Sequence, residues 1–179
     1  MPRSHRRSFH TFINKYLPKG KTILELGSGD GSKRLVEAGY TVYAVEHDEG
    51  WITRWPNDVN YIYAPLREHK KVEGFDANVW YDPAYLQDLP DYDLIIVDGP
   101  PGCEGRSGFL KYFDELFKSD VPIVIDDMQR VPERLLVTRL AKKLKRPYYV
   151  ETRYRRTMFA VMLPERWDWY PIIGESNNE

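Results

Sequence analysis

The sequence predicts an α/β fold in which a mostly parallel β-sheet is covered by helices on both faces. Short apolar runs alternate with segments of helical periodicity, and buried parallel strands are typically continuous apolar runs. The first of these runs passes directly into a glycine-rich turn, and several others end in a carboxylate. A length of 179 residues, with 42% hydrophobic and 30% charged residues, fits one globular domain spanning 1–179.

The first expected element is an N-terminal helix within residues 1–20. Phe9, Phe12 and Tyr16 recur at helical spacing, Ser8 is available as a cap, and a Pro-Lys-Gly sequence follows. This helix is expected to cover the sheet.

Three glycines follow the first predicted strand at every second position. Gly27, Gly29 and Gly31 come directly after an apolar run that contains Glu25. Glycines let the backbone turn tightly and approach a ligand closely, although a strand-to-helix turn without a ligand is an alternative. The G-x-G-x-G spacing differs from the G-x-G-x-x-G of dinucleotide sites, and no Lys-Ser/Thr pair of a phosphate loop follows. A pyrophosphate ligand is therefore disfavoured.

A second carboxylate ends the next apolar run. Glu46 lies about 20 residues after the glycines, where a nucleotide-binding α/β unit places its ribose acid. We expect Glu46 to accept hydrogen bonds from both ribose hydroxyls. Trp51, in the short helix that follows, either packs on an adenine or serves ordinary packing. A third strand at 59–63 then leads into Ala64 and Pro65, at the edge where parallel sheets place their ligand loops.

The next segment lacks a clear strand-helix alternation. Residues 67–74 are charged and are expected to be a solvated excursion, and residues 79–82 are expected to add a short strand. Residues 82–85 superficially resemble the D-P-P-Y loop with which amino-directed DNA methyltransferases hold a flipped base. They precede the fourth strand instead of ending it, so we treat the similarity as coincidence.

Three aspartates follow the next two predicted strands. Asp98 ends the fourth strand (92–98), and Asp126 and Asp127 follow the fifth (122–125), so the carboxylates should meet at one edge. Two carboxylates about 4 Å apart repel by roughly 4 kcal/mol at an effective dielectric of about 20. Protons, arginines or a hard divalent cation must neutralise them, and an all-oxygen donor set suits Mg²⁺ or Mn²⁺. Alternative roles are a helix cap for Asp127 and a turn acceptor for Asp98.

A helix and a hairpin complete the pattern. Pro132 and Glu133 suit the first turn of a helix whose last turn is basic, as the helix dipole favours. Residues 148–151 and 158–163 predict a closing hairpin. The aromatic C-terminal tail, 164–179, either covers a pocket or mediates self-association as a homodimer.

Glu25 and the glycine loop resemble the first motif of class I S-adenosylmethionine-dependent methyltransferases. From about residue 23 to residue 144, the chain resembles small bacterial methyltransferases of the methyltransferase-24 type. Its strand-end aspartates resemble the metal site of catechol-type and macrolide-sugar O-methyltransferases, and plant glucuronoxylan O-methyltransferases have a similar D-x-P-x-G loop followed by Gly-Arg. The matching segments are residues 23–31, 45–48 with Trp51, 64–66, 80–82, 97–102 with Gly105 and Arg106, and 125–127 with Arg130 and Glu133.

This resemblance implies a Rossmann-like class I methyltransferase fold, with a mostly parallel seven-stranded sheet and a C-terminal antiparallel hairpin. It implies S-adenosylmethionine as cofactor and a divalent cation, Mg²⁺ or Mn²⁺, bound by Asp98, Asp126 and Asp127. The expected catalytic residues are Asp98, Arg106 and Arg130. The expected cofactor-binding residues are Glu25, Gly27, Ser28, Gly29, Glu46, His47, Trp51, Ala64, Pro65 and Asp98.

The implied reaction is methyl transfer to a hydroxyl of a sugar, a glycan or another small polyol. A divalent cation would lower the pKa of a bound hydroxyl, as it does for water. Related enzymes often have a Lys or His three residues beyond the fourth-strand aspartate, where this chain has Pro101, so the general base is unidentified. Arg106 and Arg130 are candidates to hold an acidic sugar or phosphate, or to form structural salt bridges.

Three other functions stay open. These are a metal-independent methyltransferase acting on an amine or nucleic acid, a cofactor-binding protein without turnover, and an NAD-dependent oxidoreductase, which the glycine spacing disfavours. A net charge of −1 gives no overall attraction to nucleic acid or an anionic membrane. No apolar run is long enough to span a bilayer, and the single cysteine, Cys103, fits a reducing compartment. We therefore expect a cytoplasmic enzyme with a small-molecule or glycan acceptor and no nucleic-acid or membrane partner.

Overall fold

The computed structural model describes residues 9–102, 105–152 and 158–165. The strands are β1 (Thr22–Leu26), β2 (Thr41–Glu46), β3 (Asn60–Tyr63), β4 (Leu66–Glu68), β5 (Val79–Tyr81), β6 (Leu94–Val97), β7 (Ile123–Ile125), β8 (Tyr148–Glu151) and β9 (Phe159–Met162). The helices are α1 (Phe9–Tyr16), α2 (Asp30–Glu37), α3 (Glu49–Ile52), α4 (Ser107–Lys111), α5 (Phe113–Leu116) and α6 (Val131–Leu144), with a 3₁₀ turn at Pro83–Tyr85.

Seven strands form a mixed sheet in the order β3-β2-β1-β6-β7-β9-β8. From β3 to β7 all neighbours are parallel, whereas β9 runs antiparallel to both β7 and β8. This confirms the predicted fold, including the C-terminal hairpin. The strand order reverses beside β1, with β2 on one side and β6 on the other. A ligand crevice is expected at such a reversal, beyond the carboxyl ends of the strands.

Both faces of the sheet are buried. Along β6, Ile95 and Val97 belong to one apolar cluster, while Leu94 and Ile96 belong to another on the opposite face. Helix α1 contributes to the second cluster through Phe12, which is fully buried. Because neither face is free, the strand ends are the places where polar side chains of the sheet can meet a ligand.

The charged segment after β3 differs from its prediction. Leu66–Glu68 forms β4, which pairs antiparallel with β5. Arg67 and Glu68 are exposed, as the predicted solvated excursion requires, but they belong to a strand, so the excursion begins later than predicted. The predicted short strand is confirmed as β5, and its Trp80 and Tyr81 are almost completely buried. The physical reason is that these two large rings must be covered, and the small hairpin brings them against the sheet.

The N-terminal helix is confirmed over α1, which buries Phe9, Phe12, Ile13 and Tyr16 as the periodicity predicted. Ser8, Cys103 and the tail from residue 166 onward lie outside the described residues. Among the residues that the structure describes, no helix combines the length and apolar character needed to cross a bilayer.

Candidate functional site

The three glycines after β1 have three different physical roles. Gly27 has φ +91°, and a Cβ added there would lie 2.7 Å from the Gly99 Cα, so the turns after β1 and β6 meet backbone to backbone. A Cβ on Gly31 would collide with the His10 ring, which shows that this glycine lets α1 pack closely. Only Gly29 has open space, with its nearest atom 4.0 Å away. Gly29 is therefore the position where the loop can approach a ligand.

Glu25 is a buried carboxyl with an incomplete set of partners. Its side chain is 2% exposed, and Oε2 has no hydrogen-bond partner in the described structure. The pKa of Glu25 is raised to about 8, mainly by burial; the hydrogen bond with Ser32 lowers it, and the nearby Asp98 and Glu46 carboxylates add to the rise. A buried acceptor without a donor is costly unless something else supplies one. The arrangement therefore fits a ligand that brings a cationic hydrogen-bond donor.

Glu46 links the glycine loop to the turn after β2. Its Oε2 accepts a hydrogen bond from the Ser28 backbone N–H at 2.8 Å. Its Oε1 accepts from the backbone N–H groups of His47 and Asp48 at 2.7 and 2.9 Å. Three amides thus fix the orientation of a carboxylate that is 3% exposed. Each oxygen has further lone pairs, so the predicted role toward ribose hydroxyls is compatible with this geometry.

The remaining predicted cofactor residues lie along the same edge. The Ser28 hydroxyl is 3.1 Å from that of Ser32 in α2. Ala64 is buried, and its N–H donates to the Glu46 carbonyl at 3.0 Å, while the Pro65 carbonyl accepts from the Asp82 N–H at 2.8 Å. The first contact places Ala64 beside Glu46, whereas the second ties Pro65 to the turn after β5. Whether a cofactor touches these residues stays a prediction.

Trp51 has a neighbour that bears on its predicted role. The guanidinium of Arg54 lies 4.6 Å from the centre of its ring. Arg54 in turn forms an ion pair with Asp30 at 3.1 Å. One face of the indole is therefore already covered by a cation, and adenine stacking on the other face stays a prediction.

Arg106 is the centre of the acidic cluster at the ends of β6 and β7. It is 4% exposed and donates to the carbonyl of Asp98 at 2.6 Å, of Pro100 at 3.3 Å and of Asp126 at 3.3 Å. It also contacts Oδ1 of Asp98 at 3.4 Å and Oδ2 of Asp127 at 3.0 Å. A buried guanidinium therefore ties the two strand ends together and balances their charge.

Arg130 approaches the same cluster from the surface. Its side chain is 44% exposed and lies 2.9 Å from Oδ2 of Asp127. Asp127 adopts φ +64° and also accepts a hydrogen bond on Oδ1 from Gln129 at 2.9 Å. Buried Glu133 lies 4.0 Å from Arg106 and 3.7 Å from Arg130, a partner that sequence reasoning did not assign to this cluster. Both arginines thus form ion pairs within the fold.

The metal prediction does not fit this arrangement. In the described part of the chain, no three His, Cys, Asp or Glu side chains are grouped so that they could hold a metal ion. Both oxygens of Asp127 are engaged by protein donors, and Arg106 occupies the position between Asp127 and Asp98. Arginines are one of the predicted means of neutralising these acids. In the described structure, Arg106 pairs with Asp98 and Asp127, and Arg130 pairs with Asp127.

Protons provide a second route to neutralisation. Burial, and then the neighbouring Asp126 carboxylate, raise the pKa of Asp98 to about 7. Burial likewise raises the pKa of Asp126 to about 6. The Asp98 side chain is 38% exposed, whereas Glu25 and Glu46 are 2% and 3% exposed. Of these three acids, Asp98 is therefore the one accessible to an acceptor. A carboxyl with a pKa near neutrality can take up or release a proton under working conditions.

Tyr81 is a site residue that sequence reasoning missed. A Cβ on Gly99 would lie 2.5 Å from the Tyr81 Oη, and that buried hydroxyl has no hydrogen-bond partner among the described residues. Burial raises the pKa of Tyr81 well above its usual value, and the charges of Glu46 and Asp98 also act on it. The tyrosine therefore lies beside both halves of the crevice. The sequence signal was its place in residues 80–82, one of the segments that match the family resemblance, although that match assigned Tyr81 no role in the site.

Comparisons with known proteins identify the fold. No protein-family model matches the chain, and no curated protein matches it in sequence. The precorrin-6y C5,15-methyltransferase of Geobacter metallireducens superposes with a TM-score of 0.56 at 16% identity, covering 86% of each chain. A TehB-like SAM-dependent methyltransferase of Corynebacterium glutamicum gives 0.52 at 18% identity, covering 87% of this chain and 86% of that chain. The SAH-bound methyltransferase PaMTH1 of Podospora anserina gives 0.53 at 14% identity, covering 88% and 76%.

The fold shared with these structures is that of class I SAM-dependent methyltransferases. At such identities the likeness concerns the fold alone, because one fold can carry many activities. What the site does must therefore be argued from its own residues.

Proposed function

We propose that this chain is an S-adenosylmethionine-dependent methyltransferase that methylates a hydroxyl oxygen of a sugar, a glycan or another small polyol. The observation that carries the proposal is the convergence of Glu25, Glu46 and Asp98. These acids come from the ends of three neighbouring strands and surround a glycine loop with one open position, Gly29. The crevice thus offers separate places for a cationic amino acid group, a ribose and a reacting hydroxyl.

The residues present fit the cofactor. S-adenosylmethionine has a cationic amino group, two ribose hydroxyls and a sulfonium that supplies an activated methyl group. The free oxygen of Glu25 suits the amino group, and the fixed carboxylate of Glu46 suits the hydroxyls. Gly29 leaves room for the loop backbone to come close.

Asp98 is the proposed general base. It is the accessible carboxylate of the crevice, and Arg106 holds both its carbonyl and its side chain. The bound cofactor would supply the methyl group: its carbon–sulfur bond would break, leaving S-adenosylhomocysteine, as the acceptor oxygen bonds to the methyl carbon. Asp98 would take up the hydroxyl proton. Positioning by Arg106 keeps the carboxylate oriented, which is most of what such a displacement requires beyond the activated methyl group.

A divalent cation at Asp98, Asp126 and Asp127 stays a prediction from the family resemblance. The contacts of Arg106 and Arg130 favour the metal-independent alternative, so no step is assigned to a metal. We expect activity to be unchanged by EDTA and by added Mg²⁺ or Mn²⁺. Activity that is lost with EDTA and restored by Mg²⁺, together with an inactive Asp126→Ala variant, would reinstate the metal.

The proposed function is tested in two stages. Binding comes first: S-adenosylhomocysteine should raise the melting temperature, whereas NAD should not, since a ligand stabilises only the folded state that binds it. A panel of sugars, glycans, catechols and amines is then screened for methyl acceptance. We expect transfer to hydroxyl acceptors, with Asp98→Asn lowering kcat by about 10²–10⁴-fold while S-adenosylhomocysteine affinity is retained. Transfer to amines alone would overturn the oxygen specificity, and binding without any transfer would favour a non-catalytic protein.

A further inference from the structure

A second pocket lies beside the proposed cofactor crevice. It has a volume of about 310 Å³ and lies between the β4–β5 hairpin and the junction of α4 and α5. Its lining includes Arg67, Glu68, His69, Lys70, Tyr81 and Tyr112. None of these residues belongs to the cofactor site predicted from the sequence.

Tyr81 joins this pocket to the crevice. Its ring lines the pocket, while its hydroxyl reaches the Gly99 turn after β6. The ring centre is also 6.2 Å from that of His47, the residue next to Glu46. Tyr81 therefore lies between the pocket and the strand ends where methyl transfer is proposed.

The pocket carries an excess of positive charge. Arg67 and Lys70 oppose one acid of the lining, Glu68. Arg67 is 69% exposed and its contact with Asp82 is 3.4 Å long, which leaves the guanidinium accessible to a ligand. Lys70 has no carboxylate within ion-pair distance in the described chain, and the amine of Lys111 approaches its carbonyl at 3.5 Å.

Two lining residues of the pocket, His69 and Tyr81, each have a buried polar atom without a partner among the described residues. His69 is 8% exposed, and its Nδ1 lies 3.0 Å from the Lys70 carbonyl, which can only accept a hydrogen bond. The ring proton therefore belongs on Nδ1, leaving Nε2 as an acceptor without a donor among the described residues. The Tyr81 hydroxyl has the opposite deficiency: it is a donor without an acceptor among the described residues. A ligand with several hydroxyl groups carries both the donor and the acceptor that these two atoms lack.

We infer that this pocket binds the methyl acceptor and that the acceptor is an anionic polyol; the inference rests on the proposed methyl transfer. Its carboxylate or phosphate lies against Arg67 and Lys70. Its hydroxyls contact His69 and Tyr81, and one hydroxyl extends past the tyrosine ring toward Asp98.

Isothermal titration of the full chain tests the inference. The probes are D-glucuronate, glucose 6-phosphate and glucose, each titrated with and without S-adenosylhomocysteine. At least one anionic probe should bind ten-fold or more tightly than glucose, and the two anionic arms distinguish a carboxylate from a phosphate. The Arg67→Gln/Lys70→Gln double variant should lose this preference. Lys71→Gln removes an exposed charge from the next residue, outside the pocket lining, and should keep it.

Two results would overturn the inference: equal binding of glucose and both anions, or an anion preference that survives in the double variant. Melting temperatures within about 2 °C of wild type show that the variants are folded. The affinity for S-adenosylhomocysteine is read separately, so that cofactor binding without an anion preference removes only the pocket assignment. Failure to bind S-adenosylhomocysteine removes the proposed function itself.

Discussion

The two halves of the strand-end edge balance their charge in opposite ways. On the β1–β2 half, Glu46 is held by three backbone amides and Glu25 keeps an oxygen without a partner. Nδ1 of His47 lies 2.9 Å from Oε1 of Glu46, but no Arg or Lys pairs with either acid in the described residues. On the β6–β7 half, Asp98 and Asp127 contact the buried guanidinium of Arg106. The same kind of residue therefore meets two different environments along one edge.

The difference separates a binding site from a structural support. Carboxylates that lack a cationic partner gain most from a ligand that carries positive charge, as the proposed cofactor does. Carboxylates that already share an arginine gain little from an added cation, so the contacts of Arg106 disfavour the predicted metal site. The β1–β2 half keeps acceptor oxygens available for a ligand, whereas the carboxylates of the β6–β7 half are neutralised by arginine within the chain.

Replacing Arg106 by Met is the largest expected perturbation of this comparison. It leaves three carbonyls and two carboxylates without their shared donor, and removing one partner of a buried ion pair costs about 3–5 kcal/mol. We expect the free energy of unfolding, measured by denaturant titration, to fall by that amount. Arg130→Met is the control, because its side chain is 44% exposed and should cost no more than about 1 kcal/mol. Equal losses for both variants would show that Arg106 is not the support of this half.

Gly27→Ala tests the contact between the two halves. The alanine Cβ would meet the Gly99 backbone in a left-handed conformation, so strain and overpacking together should cost about 2–4 kcal/mol. Gly29→Ala is the matched control, since that position is extended and open. We expect Gly29→Ala to change unfolding by less than about 0.5 kcal/mol but to weaken S-adenosylhomocysteine binding. A reversed order of stabilities would contradict the roles assigned to the two glycines.

Glu46→Gln tests the binding half directly. The substitution removes the charged acceptor proposed for the ribose, and a hydrogen bond to a charged group contributes about 1.5–3 kcal/mol. Affinity for S-adenosylhomocysteine, measured by titration calorimetry, should fall by about 10–100-fold. Glu49→Gln changes the same charge on the exposed side of α3 and should leave the affinity within about two-fold. A wild-type affinity in Glu46→Gln would remove Glu46 from the cofactor site.

At low pH, where the Glu25 carboxyl is protonated in both states, Glu25→Gln should have the smallest effect of these substitutions, and it becomes visible as a change in pH dependence. With the pKa of Glu25 raised from 4.5 to about 8, the folded protein holds a proton that the unfolded chain releases within this window. Stability is therefore lost as the pH rises from about 4.5 to 8. The glutamine variant should show a shallower loss, by more than about 1 kcal/mol, since one pKa unit corresponds to about 1.4 kcal/mol. Parallel curves of melting temperature against pH would refute the raised pKa.

Much of the fold was predictable because strands that are buried on both faces have a simple sequence pattern. Each parallel strand is a short apolar run, and Glu25, Glu46 and Asp98 end or nearly end theirs, so their shared edge followed from topology. The β4–β5 hairpin was not predictable as a unit, because Arg67 and Glu68 give its first strand a solvent-exposed sequence. Its formation depends on covering Trp80 and Tyr81, which is a demand of packing between distant segments.

What the sequence determined by itself is the order of the strands' apolar runs, the glycine loop and the set of acids at one edge, since local pattern and chain order suffice for these. What only the tertiary structure decided is how those acids are neutralised. Arg106 is a single residue after a turn, and no periodicity shows that its side chain is buried beneath two strand ends. Charge balance depends on distances across the fold, and these are fixed only when the strands and their turns have packed together.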